Sequence, residues 1–245
     1  MCTVSFIPLN QEEFYLTSNR DENAKRSPSA LTKELISDLN CIYPKDVSKS
    51  GSWILVAENG ITLCLLNGGF EKHKHQPPYQ KSRGIMLLEY LSFKSTKAFL
   101  DTFEFDGMEP FTFIIHDSKN LHEVRWDETK LHHTILDQTK SHIWSSCTLY
   151  TPEWQSKREQ WFRDWEATKP TLNKKEIIAI HSTGGEGDIL NDYMMNRNGV
   201  VQTVSITNIH KQKDSIEMHY VDLIKENEIL ESLVLVNKSH LVNQL

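Results

Sequence analysis

The chain has little of what marks a secreted, fibrous or nucleic-acid-binding protein. Its 245 residues hold four cysteines, Cys2, Cys41, Cys64 and Cys147, and no two are spaced as C-x-x-C. Neither a disulfide framework nor a structural zinc site is expected from that pattern. Ten glycines and eight prolines are too few for a low-complexity or disordered chain. There is no basic excess: 27 Lys and Arg stand against 33 Asp and Glu, a formal charge of -6. A dedicated nucleic-acid binder usually shows a basic domain, and a polybasic membrane attraction needs a cationic cluster. Apolar runs such as Ile61 to Leu66 fall far short of a membrane span. The opening residues Met1 to Pro8 carry no positive charge and no adequate apolar stretch, so no targeting signal is read and a cytoplasmic location is expected. No repeat of fixed period is visible, which removes solenoids and propellers.

What remains is an ordinary globular composition, 38% hydrophobic and 24% charged. A chain of this length buries about 70% of its unfolded surface and needs no staple. We read residues 1–245 as one domain. Early strands are predicted at Thr3 to Ile7 and Phe14 to Ser18. Glu22 to Ser50 is polar and irregular, with Pro28 and Pro44, and reads as a surface excursion. A hairpin is predicted from Trp53–Ala57 and Ile61–Leu66 around Asn59-Gly60. The second arm is apolar on both faces and belongs in the middle of a covered sheet. A polar loop follows over residues 71–81. Ser82 and Ser95 are predicted to cap helices running to about Leu91 and Phe103. Strands are predicted at Phe111–His116, Leu121–Trp126, His132–Leu136, Val200–Ile206 and Ser215–Val221. Helices are predicted from Thr151-Pro152 onward, with Trp154, Trp161 and Trp165 on one apolar stripe, and over Lys174–His181. This order suggests an α+β domain of two antiparallel sheets packed face to face, with helices outside.

Three elements could carry chemistry. Cys2 follows the initiator Met1. Removal of Met1 would leave a thiol and a free α-amine on one residue. Their reference pKa values of about 8.5 and 7.7–8.0 let the amine take the thiol proton near neutrality. That is nucleophile and base in one residue, although position alone does not distinguish it from chance. Asn19-Arg20-Asp21-Glu22 ends the second predicted strand. If the first two strands pair, Asp21 returns close to Cys2 and can orient its ammonium. Taken alone, such a charged run reads as a solvated turn. Asn67-Gly68-Gly69 closes the apolar strand. An amide there can donate to an oxyanion, or the segment is simply a turn. His73-Lys74-His75 reads as exposed loop, with no carboxylate pattern beside it. Cys41, Cys64 and Cys147 read as packing residues.

Taken together, Met1-Cys2-Thr3-Val4, Asn19-Arg20-Asp21-Glu22, Gly51-Ser52-Trp53-Ile54 and Leu63-Cys64-Leu65-Leu66-Asn67 resemble the NRDE family, also called the transport and Golgi organisation protein 2 family. The likeness continues through Ser82-Arg83-Gly84, Trp144 to Tyr150 and Asp192-Tyr193-Met194-Met195, up to about Ile206. That family is similar to the N-terminal nucleophile hydrolases of the choloylglycine hydrolase and penicillin V acylase type. The resemblance implies a four-layer αββα sandwich and a hydrolase or acyltransferase role with Cys2 as nucleophile on a linear amide or thioester. It also implies Asp21 as orienter of the amine and Asn67 as oxyanion donor. Asn19, Arg20, Ser146 and Arg197 would line the substrate side, Arg197 being equally open to a surface salt bridge. The pattern departs in three places, one of them the acidic loop Glu186-Gly187-Asp188, which has no counterpart in the relatives. Bile-salt hydrolases carry Arg just before the Asn-x-Asp element, where this chain has Ser18, and their second, mid-chain Asn aligns with Ser145 or Ser146. The implied partner is a small-molecule amide or thioester, with no cofactor, metal or nucleic acid expected. The alternative is a non-catalytic family member that handles a hydrophobic ligand such as haem or a lipid.

Overall fold

The computed structural model describes residues 3–26, 30–169 and 171–236. Cys2 and Met1 lie outside the described residues. In chain order the strands are β1 (Thr3–Pro8), β2 (Phe14–Glu22), β3 (Leu31–Ile36), β4 (Leu39–Pro44), β5 (Ile54–Ala57) and β6 (Thr62–Asn67). Helices α1 (Arg83–Glu89) and α2 (Thr96–Thr102) follow, then β7 (Phe111–His116), β8 (Leu121–Trp126), β9 (Leu131–Leu136) and β10 (His142–Ser145). Helices α3 (Pro152–Ala167) and α4 (Lys174–Thr183) precede β11 (Asn196–Arg197), β12 (Val201–Lys211), β13 (Ser215–Asp222) and β14 (Asn227–Val234).

The strands form two antiparallel sheets. One runs β10-β1-β2-β12-β13-β14, with β11 paired to β12; the other is a meander, β3 through β9 in chain order. Strand alternation decides where each side chain goes. In β5 and β6, Ile54, Val56, Cys64 and Leu66 pack between the sheets against Val4, Phe6 and Leu16. Their neighbours Leu55, Leu63 and Leu65 pack outward against Met86, Leu87 and Phe99 of α1 and α2. Both faces of this hairpin are therefore covered, which is why its second arm reads as continuously apolar. On the opposite side, Ile7 and Tyr15 pack against Phe162 of α3 and Ile177 of α4. The layers are helices, sheet, sheet, helices, as the α+β reading expected.

The helix caps follow from local chemistry. Ser82, Ser95, Thr151 and Asn173 each accept a backbone N–H of the first turn, which satisfies an otherwise orphaned donor. Pro152 at the first turn of α3 costs nothing, because its missing N–H would be unpaired there.

Four expectations need correction. The segment from Glu22 to Ser50 is not an irregular excursion: it holds the β3–β4 hairpin, with Cys41 and Tyr43 buried. Its turn uses Ser37 and Asp38 at φ of 49° and 63°, the left-handed pair a two-residue hairpin needs. Second, β2 runs on through Glu22, so Asn19 to Asp21 are strand residues. Third, β10 and β14 are additional strands at the two ends of the first sheet's hydrogen-bonded order. Fourth, the three tryptophans of α3 are only half-buried; Arg158 and Phe162 are the residues this helix buries.

Candidate active site

The β1–β2 register sets the site. Thr3 lies opposite Asn19 on one side and Ser145 of β10 on the other. Along β2, Asn19 and Asp21 face the α3–α4 layer, whereas Arg20 faces the second sheet. Asn19 is fully buried. Its amide nitrogen donates to the carbonyls of His181, at 2.9 Å, and Tyr193, at 2.8 Å. That fixes its oxygen as the acceptor facing His181 Nδ1 at 2.6 Å, so Nδ1 carries the proton. His181 Nε2 then accepts from the Ser5 hydroxyl at 2.7 Å. Burial, reinforced by the Arg158 charge, pushes His181 down to about 3, so a neutral imidazole fits this arrangement.

Asp21 is 4% exposed. Thr203 Oγ1 donates to its Oδ1 at 2.6 Å and Tyr150 Oη to its Oδ2 at 3.1 Å. The carboxylate is thus held in a cage built from β12 and the segment after β10, not left in a solvated turn. A register shift in β12 between Thr203 and Ser205 accompanies this contact; such an irregularity re-aims a side chain.

Arg20 crosses to the other face. Its guanidinium pairs with Asp46 at 2.6 Å and lies 3.9 Å from the Trp53 ring centroid. Arg26 reaches the same Asp46 oxygen at 2.7 Å. Burial would raise the Asp46 carboxyl, but Ser48 hydrogen bonds and the charges of Arg26 and Arg20 hold it below the usual range. These groups form one wall of a cleft of about 630 Å³. Trp53, Leu65 and Asn67 form another part, and Pro77, Pro78, Tyr79, Arg83 and Glu109 close it opposite.

Asn67 ends β6 at the edge of this cleft. Its side-chain amide has no hydrogen-bond partner among the described residues, while its carbonyl accepts from buried Ser146 at 2.7 Å. Gly68 must be glycine here: its φ is 84°, and a Cβ would lie 2.4 Å from Cys147 Sγ. Arg197 is placed differently from the other candidates. Its guanidinium donates to the Leu149 carbonyl at 2.9 Å, the Leu190 carbonyl and the Asn191 side chain. It forms no salt bridge among the described contacts and is not part of the cleft lining.

The loop histidines also differ from expectation, because a carboxylate does stand beside them. His73 and His75 meet Glu109 at 3.1 and 3.3 Å, and Arg83 pairs with its other oxygen at 2.8 Å. Among the described residues no group of His, Cys, Asp or Glu is arranged to hold a metal ion. The three described cysteines are buried. Burial pushes Cys41 and Cys64 up to about 12 and also raises Cys147.

Sequence reasoning missed Tyr150, Thr203, Asp46 and Arg158, and took His181 only as a helix end. One local signal existed: Arg158 stands between Trp154 and Phe162 at steps of four, a charge on the buried stripe of a helix. The others meet the site from segments 26 to 182 residues away and leave no local trace.

The layer order, with the start of β1 held between the ends of β2 and β10, is the fold of the N-terminal nucleophile hydrolases, and solved structures of that fold superpose on it. A variant of the conjugated bile acid hydrolase of Clostridium perfringens superposes with a TM-score of 0.58 at 10% identity, over 97% of this chain and 100% of that one. A Caenorhabditis elegans N-acylethanolamine-hydrolyzing acid amidase ortholog gives 0.57 at 10% identity, over 85% and 92%. A second mutant of the bile acid hydrolase gives 0.53 at 12%, over 98% and 100%. No curated protein sequence matches the chain. Residues 1–229 match the family described as Transport and Golgi organisation 2, and the chain belongs to that family. Among the described residues no helix is long and apolar enough to cross a membrane.

Proposed function

We propose that the chain is a cysteine hydrolase or acyltransferase acting on a linear amide or thioester, with Cys2 as nucleophile after loss of Met1. The observation that carries this reading is the caged carboxylate of Asp21, two residues past the register partner of Thr3. Cys2 directly precedes Thr3 in the sequence.

In the proposed reaction the Cys2 sulfur attacks the substrate carbonyl and its own α-amine takes the thiol proton. Asp21 orients the resulting ammonium. The side-chain amide of Asn67 donates to the oxyanion, a contact of the kind worth about 3–4 kcal/mol in the transition state. Collapse expels the amine or thiol leaving group, which takes the proton back from the ammonium. Water or an acceptor then attacks the acyl-enzyme, the amine removing its proton, and the thiol is restored. The cleft lining is mainly charged and polar, with apolar surface from Trp53, Leu65, Pro77 and Pro78. That supports a small polar acyl compound over storage of haem or a lipid.

The test is the N-terminus itself. Intact mass of protein purified from cells is expected to show loss of one Met residue, roughly 131 Da, because the mechanism needs the free amine. Quantitative retention of Met1 removes the base and favours the binding protein.

A further inference from the structure

Between Asn67 at the end of β6 and Arg83 at the start of α1 the chain runs without helix or strand. Connections this long and irregular are uncommon in a compact domain, and many of them are lids or binding loops. His75, Pro77, Pro78 and Tyr79 of this strap line the cleft, with Trp53 and Asn67 on its other walls. Both ends are tied to one segment of the body. The Gly68 N–H donates to the Pro110 carbonyl at 2.9 Å, and the Gln80 N–H to the Gly107 carbonyl at 3.0 Å. Among the described residues, none of 71–79 belongs to a hydrophobic core cluster. Glu71, Lys72 and residues 74–78 are exposed.

One carboxylate holds the middle of the strap. Glu109 Oε1 accepts from His73 Nε2 at 3.1 Å and His75 Nδ1 at 3.3 Å, and Oε2 accepts from Arg83 at 2.8 Å. Arg83 also donates to the Pro110 carbonyl at 2.8 Å. One oxygen of Glu109 is thus fixed to the body while the other grips the strap. His73 Nδ1 has no partner among the described residues, which leaves Glu109 as that ring's polar tie. Burial would raise the Glu109 carboxyl, but the Arg83 charge and the two histidines hold it below the usual range, so it is an anion at neutral pH. Within the strap, the Gln76 N–H donates to Tyr79 Oη at 2.8 Å, and the His75 and Tyr79 rings lie 5.3 Å apart. Those contacts travel with the segment. At its root, the buried Cys147 thiol donates to the Glu71 carbonyl at 3.2 Å.

We propose that residues 71–79 form a lid that Glu109 latches over the cleft, and that this lid opens as one piece, ahead of any unfolding of the sheets, to admit the acyl compound. The inference rests on the reading of the cleft as the substrate site. Segments with few buried apolar contacts are where local opening costs least. Charge-assisted hydrogen bonds suit a latch, because they are strong when made and their release disturbs no core packing. Opening breaks the two histidine contacts and the contact of Cys147 with Glu71. The backbone ties of Gly68 and Gln80 to residues 107–110 stay in place as the two hinges. The open lid uncovers Trp53 and Asn67, and the closed one keeps water from the reacting group, the role that lids serve in enzymes.

The test is labelling of Cys147 by excess N-ethylmaleimide on the full chain, read by peptide mapping, beside hydrogen exchange of residues 71–79. Cys147 reports the lid, whereas Cys41 and Cys64, packed in the two large cores, report unfolding of the sheets. Glu109→Gln keeps the size and removes the charge. It is expected to speed Cys147 labelling and exchange in the strap by about tenfold or more, the effect of a lost hydrogen bond to a charged group, with Cys41 and Cys64 unchanged. The double variant His73→Ala with His75→Ala keeps the pair of Arg83 with Glu109 and is expected to do the same, so the test survives a Glu109→Gln chain that fails to fold. Unchanged Cys147 labelling in the folded double variant overturns the proposal. So does a rise shared equally by all three thiols, which marks general unfolding. Neither readout involves Cys2. An inert Cys2 would sink the proposed hydrolase and leave the lid standing, while a failed lid leaves the chemistry of Cys2 untouched.

Discussion

Asp21→Asn is expected to slow Cys2 alkylation and to lower hydrolysis of simple amides or thioesters by about 10²-fold or more, the range of a lost acid–base partner. Asparagine keeps an oxygen for Thr203 Oγ1 and turns its amide toward Tyr150 Oη, so the cage survives in outline. What disappears is the charge that orients the ammonium. Read as a solvated turn, Asp21 would be nearly silent in stability. At 4% exposure with two hydrogen-bonded neighbours, its replacement is instead expected to lower stability by about 1–3 kcal/mol. Kinetics and thermal melting on the same preparation separate the two effects. Normal Cys2 reactivity in a folded Asp21→Asn variant would show that the carboxylate serves packing alone.

The second large effect is on stability against pH. Burial pushes His116 down to about 4 and His181 to about 3, the latter helped by Arg158. Both bind a proton in the unfolded chain near the ordinary value of about 6.5. A folded-state value below the unfolded one means that the unfolded state takes up the proton first. The stabilisation is complete above about pH 6.5 and is lost progressively as the pH falls toward the folded values. At pH 5 each histidine has given up about 2 kcal/mol, so about 4 kcal/mol in all, a large share of a typical domain's stability. Urea unfolding midpoints measured between neutral pH and about pH 5 are expected to fall steeply. A flat profile across that window would mean that at least one of these imidazoles has access to water or a proton acceptor.

Much of the fold was legible where local pattern and tertiary environment agree. The Asn59-Gly60 hairpin, the strands β7 to β9 and the capped starts of α1, α2 and α3 all carry short-range signals. The β3–β4 hairpin did not, because β3 carries the adjacent charged, exposed residues Lys33 and Glu34 with no alternation of burial, and its turn is Ser37-Asp38 rather than Asn-Gly. Strand β14 is likewise hidden by charge, with Glu228 and Glu231 in its run. The site shows the limit more sharply. Asn19-Arg20-Asp21 was visible as a motif, but its charges looked like solvated turn. Partners far along the chain bury them: β12, His181, Tyr193 and Tyr150 on one face, and Asp46 and Trp53 on the other. Likewise Arg158 meets the start of β1 only once α3 is laid across β10.

The central claim is that Cys2 is an activated nucleophile, and ranking the four thiols tests it most directly. Brief, substoichiometric iodoacetamide near pH 7, followed by peptide mapping, reads thiolate character site by site. Cys41 and Cys64, pushed up by burial to about 12, and Cys147, raised in the same way, are expected to stay essentially unlabelled. The account predicts that Cys2 takes nearly all of the first label. Labelling of Cys147 or Cys64 ahead of Cys2 in the folded protein would contradict it.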